Sequence, residues 1–253
     1  MEAPALRPLS TGEVLDVAFS LYRRHFVTLA LVALASQGVA LVFSIYVAAS
    51  GGSLANLALT LVSMILSSVC AAIGMGASTK IIADSYLGRP TTAAEALVWV
   101  VPSLGKLIGL TVMISIAVMI GFFLLFVPGA MLASALAVAP SALVVEGLSA
   151  NEAMNRSWNL TKGHRWKVFW TMVVAFVLIY AVMLSASVIG GVISNALGAA
   201  PLIAVVLATA IAALLSLFVY PFMYAAVTVL YYDLRVRKEG FDLEMLESQL
   251  EGK

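Results

Sequence analysis

Cysteine is nearly absent from this sequence. Cys70 is the only one in 253 residues, which excludes an intramolecular disulfide. Charged residues are also scarce: they make up 11% of the chain, against about 25% in soluble domains, whereas hydrophobic residues make up 62%. This composition excludes an ordinary soluble globular protein and predicts an all-α polytopic membrane protein.

Three long stretches contain no Asp, Glu, Lys or Arg: residues 26–79, 107–145 and 168–232. One membrane crossing needs about 20 apolar residues, so each stretch is long enough for two crossings. Each also has a helix-breaking sequence near its middle: SGGS at 50–53, Pro128 with Gly129, and NALGAAP at 195–201. Six transmembrane helices are therefore predicted. The fourth, at 130–145, is short and contains Pro140, so it could be broken or partly re-entrant.

The charged residues all fall on one side of this six-helix arrangement. All 14 Lys and Arg and all 13 Asp and Glu lie at the chain ends or in the two even-numbered connectors. The odd-numbered connectors carry no charge. The positive-inside rule then predicts a multi-pass protein of the inner (plasma) membrane with cytoplasmic N- and C-termini.

Three Ser or Thr residues, each followed three positions later by Glu, are spaced as capping boxes that begin helices. They are Ser10 with Glu13, Thr92 with Glu95, and Ser149 with Glu152. After the last of them, an apolar stripe at helical spacing runs from Ala150 to Trp158. We predict a single membrane domain, 1–253, built from three repeats at about 9–80, 90–146 and 148–235, with a cytoplasmic tail at 236–253. Each repeat is an interfacial amphipathic helix followed by a transmembrane hairpin.

Three segments carry a family resemblance. They are RPLSTGEVLDVAFSLYRRHF at 7–26, VPGAMLASALAVAPSALVVEGLSANEAMNRSWNLTKGHRWKVF at 127–169, and YPFMYAAVTVLYYDLRVRKEGFDLEML at 220–246. Together they resemble the membrane domain of glycerophosphoryl diester phosphodiesterases and its stand-alone bacterial relatives of unknown function. In the phosphodiesterases, the resemblance implies, catalysis lies in an additional soluble barrel domain. Nothing follows Lys253 here, so we expect the membrane part alone, without the catalytic domain.

The sequence contains no constellation that is typical of an active site. It has no Gly-rich phosphate loop and no nucleophile elbow. His25 and His164 occupy matching repeat positions, but no Cys or carboxylate stands at metal-ligand spacing beside them. An interfacial membrane enzyme would need Glu146, His164 and Asp233 within hydrogen-bond reach of one another. We expect no enzyme activity, no cofactor, no metal ion and no nucleic-acid partner.

Polar residues at the ends of the predicted crossings are candidates for contact with lipid headgroups or a partner surface. In the connector at 146–167, four cations outnumber two acids, a surplus that suits an anionic headgroup. Glu146 is placed to pair with Arg156, and Asp233 with Arg237 four residues later. The full set is Glu146, Arg156, Lys162, Arg165, Lys167, Asp233, Arg235 and Arg237.

Two functions fit these features. The first is a non-catalytic membrane protein that acts as a scaffold or lipid-interacting accessory in membrane or envelope lipid processes. Its partners would be membrane lipids, including anionic headgroups, and a protein at the cytoplasmic face. The alternative is an uncoupled transporter or channel for a lipid-like or small amphiphilic molecule. That alternative requires the polar residues within the crossings to converge on one cavity: Gln37, Ser63, Ser67, Thr111, Ser115, Ser185 and Ser187.

Overall fold

Helix is the only regular structure in the described part of the chain. The structure is a computed structural model, which describes residues 7–50, 54–196, 198 and 201–241. The helices are α1 (Thr11–Arg24), α2 (Phe26–Ala49), α3 (Leu54–Tyr86), α4 (Ala93–Val100), α5 (Leu104–Leu124), α6 (Phe126–Leu136), α7 (Ala139–Glu146), α8 (Ala150–Thr161), α9 (Arg165–Ala196) and α10 (Pro201–Glu239). A 3₁₀ turn at Val101–Ser103 joins α4 to α5. The all-α prediction is confirmed.

Six helical segments of the described chain are long and apolar enough to cross a membrane. They are Phe26–Ala49, Leu57–Tyr86, Ala93–Leu124, Phe126–Glu146, Arg165–Ile193 and Val206–Glu239. Helix is the form that such segments take because hydrocarbon offers no hydrogen bonds to the backbone. The two helices of each predicted hairpin pack against each other: α2 with α3, α5 with α6, and α9 with α10. The prediction of six transmembrane helices is confirmed.

The break in the second hairpin lies three residues before the position predicted from the sequence. Leu125 is extended, with φ −166° and ψ 152°, and it separates α5 from α6. Pro128 does not break the helix, because it lies in the first turn of α6. There the backbone N–H that proline lacks would have no helical partner in any case.

The fourth crossing is broken, as its sequence allowed. α6 ends at Leu136 and α7 begins at Ala139, with Pro140 in the first turn of α7. Of an 18-residue apolar stretch in this crossing, 61% is buried inside the protein, against 6% for the fifth crossing, so other parts of the protein surround it. Gly147 ends α7 in the left-handed conformation, with φ +71°, which glycine adopts without strain.

All three capping boxes are present, at the starts of α1, α4 and α8. α1 buries its apolar face on the bundle. α8 does the same through Ala153, Ser157, Leu160 and Thr161. The apolar stripe expected from the sequence was Ala150, Ala153, Met154 and Trp158, and only Ala153 of these is fully buried. Polar Ser157 and Thr161 are buried instead, because both hydroxyls donate to the Ala135 carbonyl oxygen in the bundle. Trp158 remains 41% exposed.

The threefold repeat stays a prediction. In the second unit, the capped helix α4 runs through the 3₁₀ turn directly into α5, and the two together make one candidate crossing. In the first and third units, a full break separates the capped helix from the crossing, at His25 and at 162–164. The predicted tail at 236–253 lies outside the described residues from 242 onwards.

α10 is the central helix of the bundle, in contact with α1, α2, α3 and α9. Its 39 residues make a helix about 58 Å long, well beyond a hydrocarbon core of about 30 Å. The helix continues through Pro221, and the Tyr22 hydroxyl on α1 donates a hydrogen bond to the Phe218 carbonyl oxygen at 2.9 Å. Tyr231 and Tyr232, near its end, are fully buried.

The two ends of the bundle differ in composition. We call the end at which α1, α8 and the last turns of α3, α7 and α10 meet the charged end. The opposite end, at Ser50, Leu125 and Gly198, is the uncharged end. Phe123, beside Leu125, is 91% exposed, as expected of a side chain that faces lipid.

Candidate functional site at the charged end

One cluster of charged groups is centred on Asp233. Its side chain is fully buried; it accepts a hydrogen bond from the Leu9 backbone N–H at 2.7 Å and forms ion pairs with Lys167 and, at 3.1 Å, with Arg237. Both cations also donate to the Leu9 carbonyl oxygen, Lys167 at 2.6 Å and Arg237 at 2.5 Å. This Asp233 cluster joins the segment before α1 to both α9 and α10.

A second cluster is centred on Arg156. Its Nε donates to both carboxylate oxygens of Glu146 at 2.9 Å, and its two terminal nitrogens donate to Glu239. The Tyr231 hydroxyl donates to Glu146 at 2.5 Å, and Arg235 Nε donates to Glu239 at 3.0 Å. The planar guanidinium can bind two carboxylates at once, which a lysine ammonium does less well. This Arg156 cluster joins α7, α8 and α10.

Hydrogen bonding fixes the charge of several groups outside the crossings. The hydrogen bonds to Glu239 raise the pKa of Arg156, although burial acts in the opposite direction. The Ser10 backbone N–H, then the Ser10 hydroxyl, lower the pKa of Glu13 to about 2. The corresponding groups of Ser149 lower the pKa of Glu152. All of these groups are therefore charged at neutral pH.

Six of the eight candidate headgroup residues belong to these two clusters. They are Glu146, Arg156, Lys167, Asp233, Arg235 and Arg237. The expected Glu146 to Arg156 and Asp233 to Arg237 pairs are both present. The charges of the six residues are largely compensated within the protein, so their evident contribution is to hold helices together.

Sequence reasoning missed three members of the clusters: Leu9, Tyr231 and Glu239. Glu239 could have been found, because it stands four residues after Arg235 on the same helix. The Leu9 backbone and the Tyr231 hydroxyl had no such local signal. A further pair was also missed: Asp84 accepts from Lys80 at 3.0 Å and from the Thr91 hydroxyl at 2.6 Å.

The remaining two candidates, Lys162 and Arg165, lie outside both clusters. Lys162 is exposed, and neither residue forms an ion pair with any residue that the structure describes. The Arg165 guanidinium lies over the Trp158 ring, 4.0 Å from its centroid. With Gly163 and Trp166 these residues line a cavity of about 390 Å³, which we call the Trp158 pocket. It is a place where cationic groups and amphipathic rings are both available to a ligand.

A known family matches the part of the chain that carries most of this site. Residues 104–249, more than half of the chain, match the family described as the membrane domain of glycerophosphoryl diester phosphodiesterase. The chain belongs to this family. Together with the six apolar helices, this shows a multi-pass integral membrane protein. No significant match was found among the curated proteins or among the solved structures.

All eight candidate headgroup residues lie within the part of the chain that matches the glycerophosphoryl diester phosphodiesterase membrane-domain family. The Trp158 pocket and the Arg156 cluster lie there completely. The Asp233 cluster extends beyond it, since Leu9 comes before the match. The resemblance noted at residues 7–26 also falls outside the matched range.

The structure does not assemble the catalytic group that an interfacial enzyme would need. Glu146 is bound by Arg156 and Tyr231, and Asp233 by Lys167, Arg237 and Leu9, with no hydrogen bond from His164 to either acid within the described chain. Nδ1 of His164 is buried with no partner there. Nε2 of His25 lies 2.6 Å from the Ser85 hydroxyl oxygen, and the described residues contain no cluster of metal-ligating side chains.

The polar residues within the crossings converge only in part. Gln37 and Ser67 line one cavity of about 360 Å³ between α2, α3, α9 and α10, together with Ser44 and Ser216. Four others are exposed on the outer surface of the bundle: Thr111, Ser115, Ser185 and Ser187. Three of these four donate hydrogen bonds to their own helices and so satisfy themselves locally. Ser63 is buried and does not line the cavity.

Proposed function

We propose that this chain is a non-catalytic, lipid-interacting accessory or scaffold protein of the bacterial inner membrane, with both termini in the cytoplasm. The observation that carries the proposal is the Trp158 pocket. Lys162 and Arg165 stand there without ion-pair partners among the described residues, while the other candidate cations are paired within the protein. Anionic lipid headgroups attract such cations with about 1 kcal/mol each near the surface.

The orientation supports the same role. The charged end carries the cations, so the positive-inside rule assigns it to the cytoplasmic leaflet. Anionic lipids are abundant at that surface, and Trp158 and Trp166 are exposed at the charged end, where indole rings favour the headgroup region. A protein partner that docks on this face would extend the role from lipid contact to scaffolding.

Brominated lipids test the proposal, because bromine quenches tryptophan fluorescence only on contact. The protein is placed in nanodiscs of phosphatidylglycerol and phosphatidylcholine with one lipid brominated at a time, in a Trp99→Phe/Trp170→Phe background. Only Trp158 and Trp166 then report. We expect stronger quenching by brominated phosphatidylglycerol, and loss of this preference in Lys162→Gln/Arg165→Gln.

The matched control is Arg23→Gln/Lys238→Gln, which removes the same charge from two exposed cations outside the pocket. It should retain the lipid preference. Equal quenching by the two lipids in the unmodified pocket would contradict the proposed function.

A second function, an uncoupled transporter or channel for an amphiphilic molecule, is favoured by one observation. The Gln37 amide and Ser67 hydroxyl face the same cavity near the middle of the bundle and make no side-chain hydrogen bond with any described residue. Unpaired amides are unfavourable in hydrocarbon, so a polar occupant would stabilise them.

Proteoliposomes test this function. The protein should translocate a fluorescent phospholipid analogue faster than empty liposomes do, and Gln37→Leu should slow that translocation. Equal rates with and without protein would exclude it for that lipid.

A further inference from the structure

A second cavity at the charged end lies beside Tyr232. Its volume is about 300 Å³, and it is bordered by the end of α3, the loop that follows, α4, the end of α7 and α10. Its polar lining consists of Lys80, Asp84, Arg89, Trp99, Glu146 and Tyr232. We call it the Tyr232 cavity. It shares no lining residue with the Trp158 pocket.

The two acids of the Tyr232 cavity are already satisfied. Asp84 accepts from the Lys80 ammonium at 3.0 Å and from the Thr91 hydroxyl at 2.6 Å. Glu146 accepts from both Arg156 and Tyr231 in the Arg156 cluster. Their negative charges are compensated by these neighbours, so the cavity has little to offer a cationic ligand.

Hydrogen-bond donors in the same cavity are unused. The Tyr232 hydroxyl is completely buried and has no partner among the described residues. The Arg89 side chain is exposed and forms no ion pair there, and the Trp99 indole N–H donates to no described residue. Lys80 keeps at least one N–H beyond those that Asp84 can accept. The cavity therefore presents several donors and one uncompensated positive charge, that of Arg89.

We propose that the Tyr232 cavity binds a phosphate group, with Arg89 and the Tyr232 hydroxyl as its principal donors. A guanidinium pairs with phosphate through two parallel hydrogen bonds, and the buried phenol gains the acceptor that it lacks within the protein. The volume exceeds that of a bare phosphate ion and accommodates a phosphate with its attached alcohol. The phosphate belongs either to a phospholipid headgroup or to free inorganic phosphate.

Three probes distinguish these sources. Delipidated protein in detergent is titrated with dihexanoyl phosphatidylglycerol, with inorganic phosphate, and with dihexanoylglycerol, which has the same acyl chains without the phosphate. Binding is read by native mass spectrometry and by the rise in melting temperature. Binding of the phospholipid alone identifies the lipid as the source, and binding of inorganic phosphate that competes with it identifies a site for the free ion as well.

Two variants and one control test the residues. Arg89→Gln and Tyr232→Phe should each weaken phosphate binding about tenfold or more, as expected for loss of a hydrogen bond to a charged group. Tyr232→Phe should leave the melting temperature of the ligand-free protein unchanged or slightly higher, because the hydroxyl that it removes has no partner among the described residues. Arg23→Gln, an exposed arginine of α1 outside the cavity, should bind as the unmodified protein does.

Three results would overturn the proposal: equal binding of dihexanoylglycerol and the phospholipid, no binding of either phosphate-containing probe, or unchanged affinity in both variants. The proposal is independent of the lipid role of the Trp158 pocket. The titrations are therefore made in a Lys162→Gln/Arg165→Gln background, which removes the lipid contact proposed for the Trp158 pocket. Binding that remains there and depends on Arg89 and Tyr232 reports on the Tyr232 cavity alone, so failure at one site can be told apart from failure at the other.

Discussion

The charged end and the uncharged end of the bundle are held together by different interactions. At the charged end, the Asp233 and Arg156 clusters connect helices that are far apart in sequence through ion pairs and hydrogen bonds. At the uncharged end, the turn at Leu125 is followed by a close approach of two glycines, Gly121 on α5 and Gly129 on α6. Apolar side chains there face outwards, among them Phe123.

This difference follows from the membrane. Within hydrocarbon, apolar side chains gain nothing by leaving lipid for protein, so the crossings must associate by close packing and by scattered polar contacts. At the membrane surface, charged groups can stay hydrated or pair with one another, and here most of them pair. Ionic contacts thus fix the arrangement of the hairpins at the charged end. At the uncharged end, small residues set the distance between α5 and α6 of the second hairpin.

Asp233→Ala should have the largest effect of the substitutions that test this comparison. It leaves Lys167 and Arg237 mostly buried without their common acid, which costs about 3–5 kcal/mol. We expect a melting temperature lower by roughly 6–20 °C, measured by size-exclusion chromatography of heated samples in detergent. Addition of Lys167→Met to this variant should restore part of the lost melting temperature. If the two substitutions changed the melting temperature by strictly additive amounts, Asp233 and Lys167 would not be coupled as the cluster requires. Lys238→Gln, at an exposed position, is the control.

Gly129→Ala should have an intermediate effect at the uncharged end. A Cβ at this position would lie 2.6 Å from the Phe122 ring and 2.7 Å from the Phe122 backbone nitrogen, so α5 and α6 would have to separate. Overpacking of this kind costs about 1–3 kcal/mol. Gly105→Ala is the matched control, because no atom lies within 4 Å of the added Cβ. The same heating assay should show a loss for Gly129→Ala alone, and similar melting temperatures for both would refute the close approach.

The smallest effect is expected from the pH dependence of the α1 capping box. The Ser10 backbone N–H, then the Ser10 hydroxyl and Arg7, lower the folded-state pKa of Glu13 from 4.5 to about 2. A lowered pKa stabilises the folded state fully above the unfolded-state pKa, and this stabilisation is lost as the pH falls from about 4.5 to about 2. The difference in melting temperature between the unmodified protein and Glu13→Ala should therefore shrink over that range. Asp16→Ala removes another acid of α1, an exposed one, and controls for the change in charge. If its difference in melting temperature from the unmodified protein shrank equally over the same pH range, the pH dependence could not be assigned to the Glu13 capping box.

Local patterns in the sequence were enough to predict much of the fold. Hydropathy and helix-breaking residues predicted the six crossings, and the spacing of Ser149 and Glu152 predicted a helix start. These features depend on residues a few positions apart. The pair between Asp233 and Arg237 was accessible for the same reason, since both lie on one helix.

The other contacts of the candidate site could not be predicted in this way. Leu9 and Asp233 are 224 positions apart, and Lys167 and Asp233 are 66 apart, so their contact depends on how the hairpins pack. The sequence also could not show that Lys162 and Arg165 differ from the four paired cations, Arg156, Lys167, Arg235 and Arg237. Both sets consist of Lys and Arg, and only the tertiary structure decides which charges are compensated. The position of the Leu125 turn was missed because Pro128 is compatible with the first turn of a helix.

The hydrogen bond from Tyr22 to Phe218 links the surface of the membrane to its interior. Proline at 221 interrupts the backbone ladder of the sixth crossing, and the phenol on α1 supplies a donor close to that interruption. Were a bound headgroup or docking protein to lift α1 away, a carbonyl oxygen would be left in hydrocarbon without its external donor. The sixth crossing would then bend more easily at that point, so an event at the charged end would alter the shape of the longest helix that the structure describes.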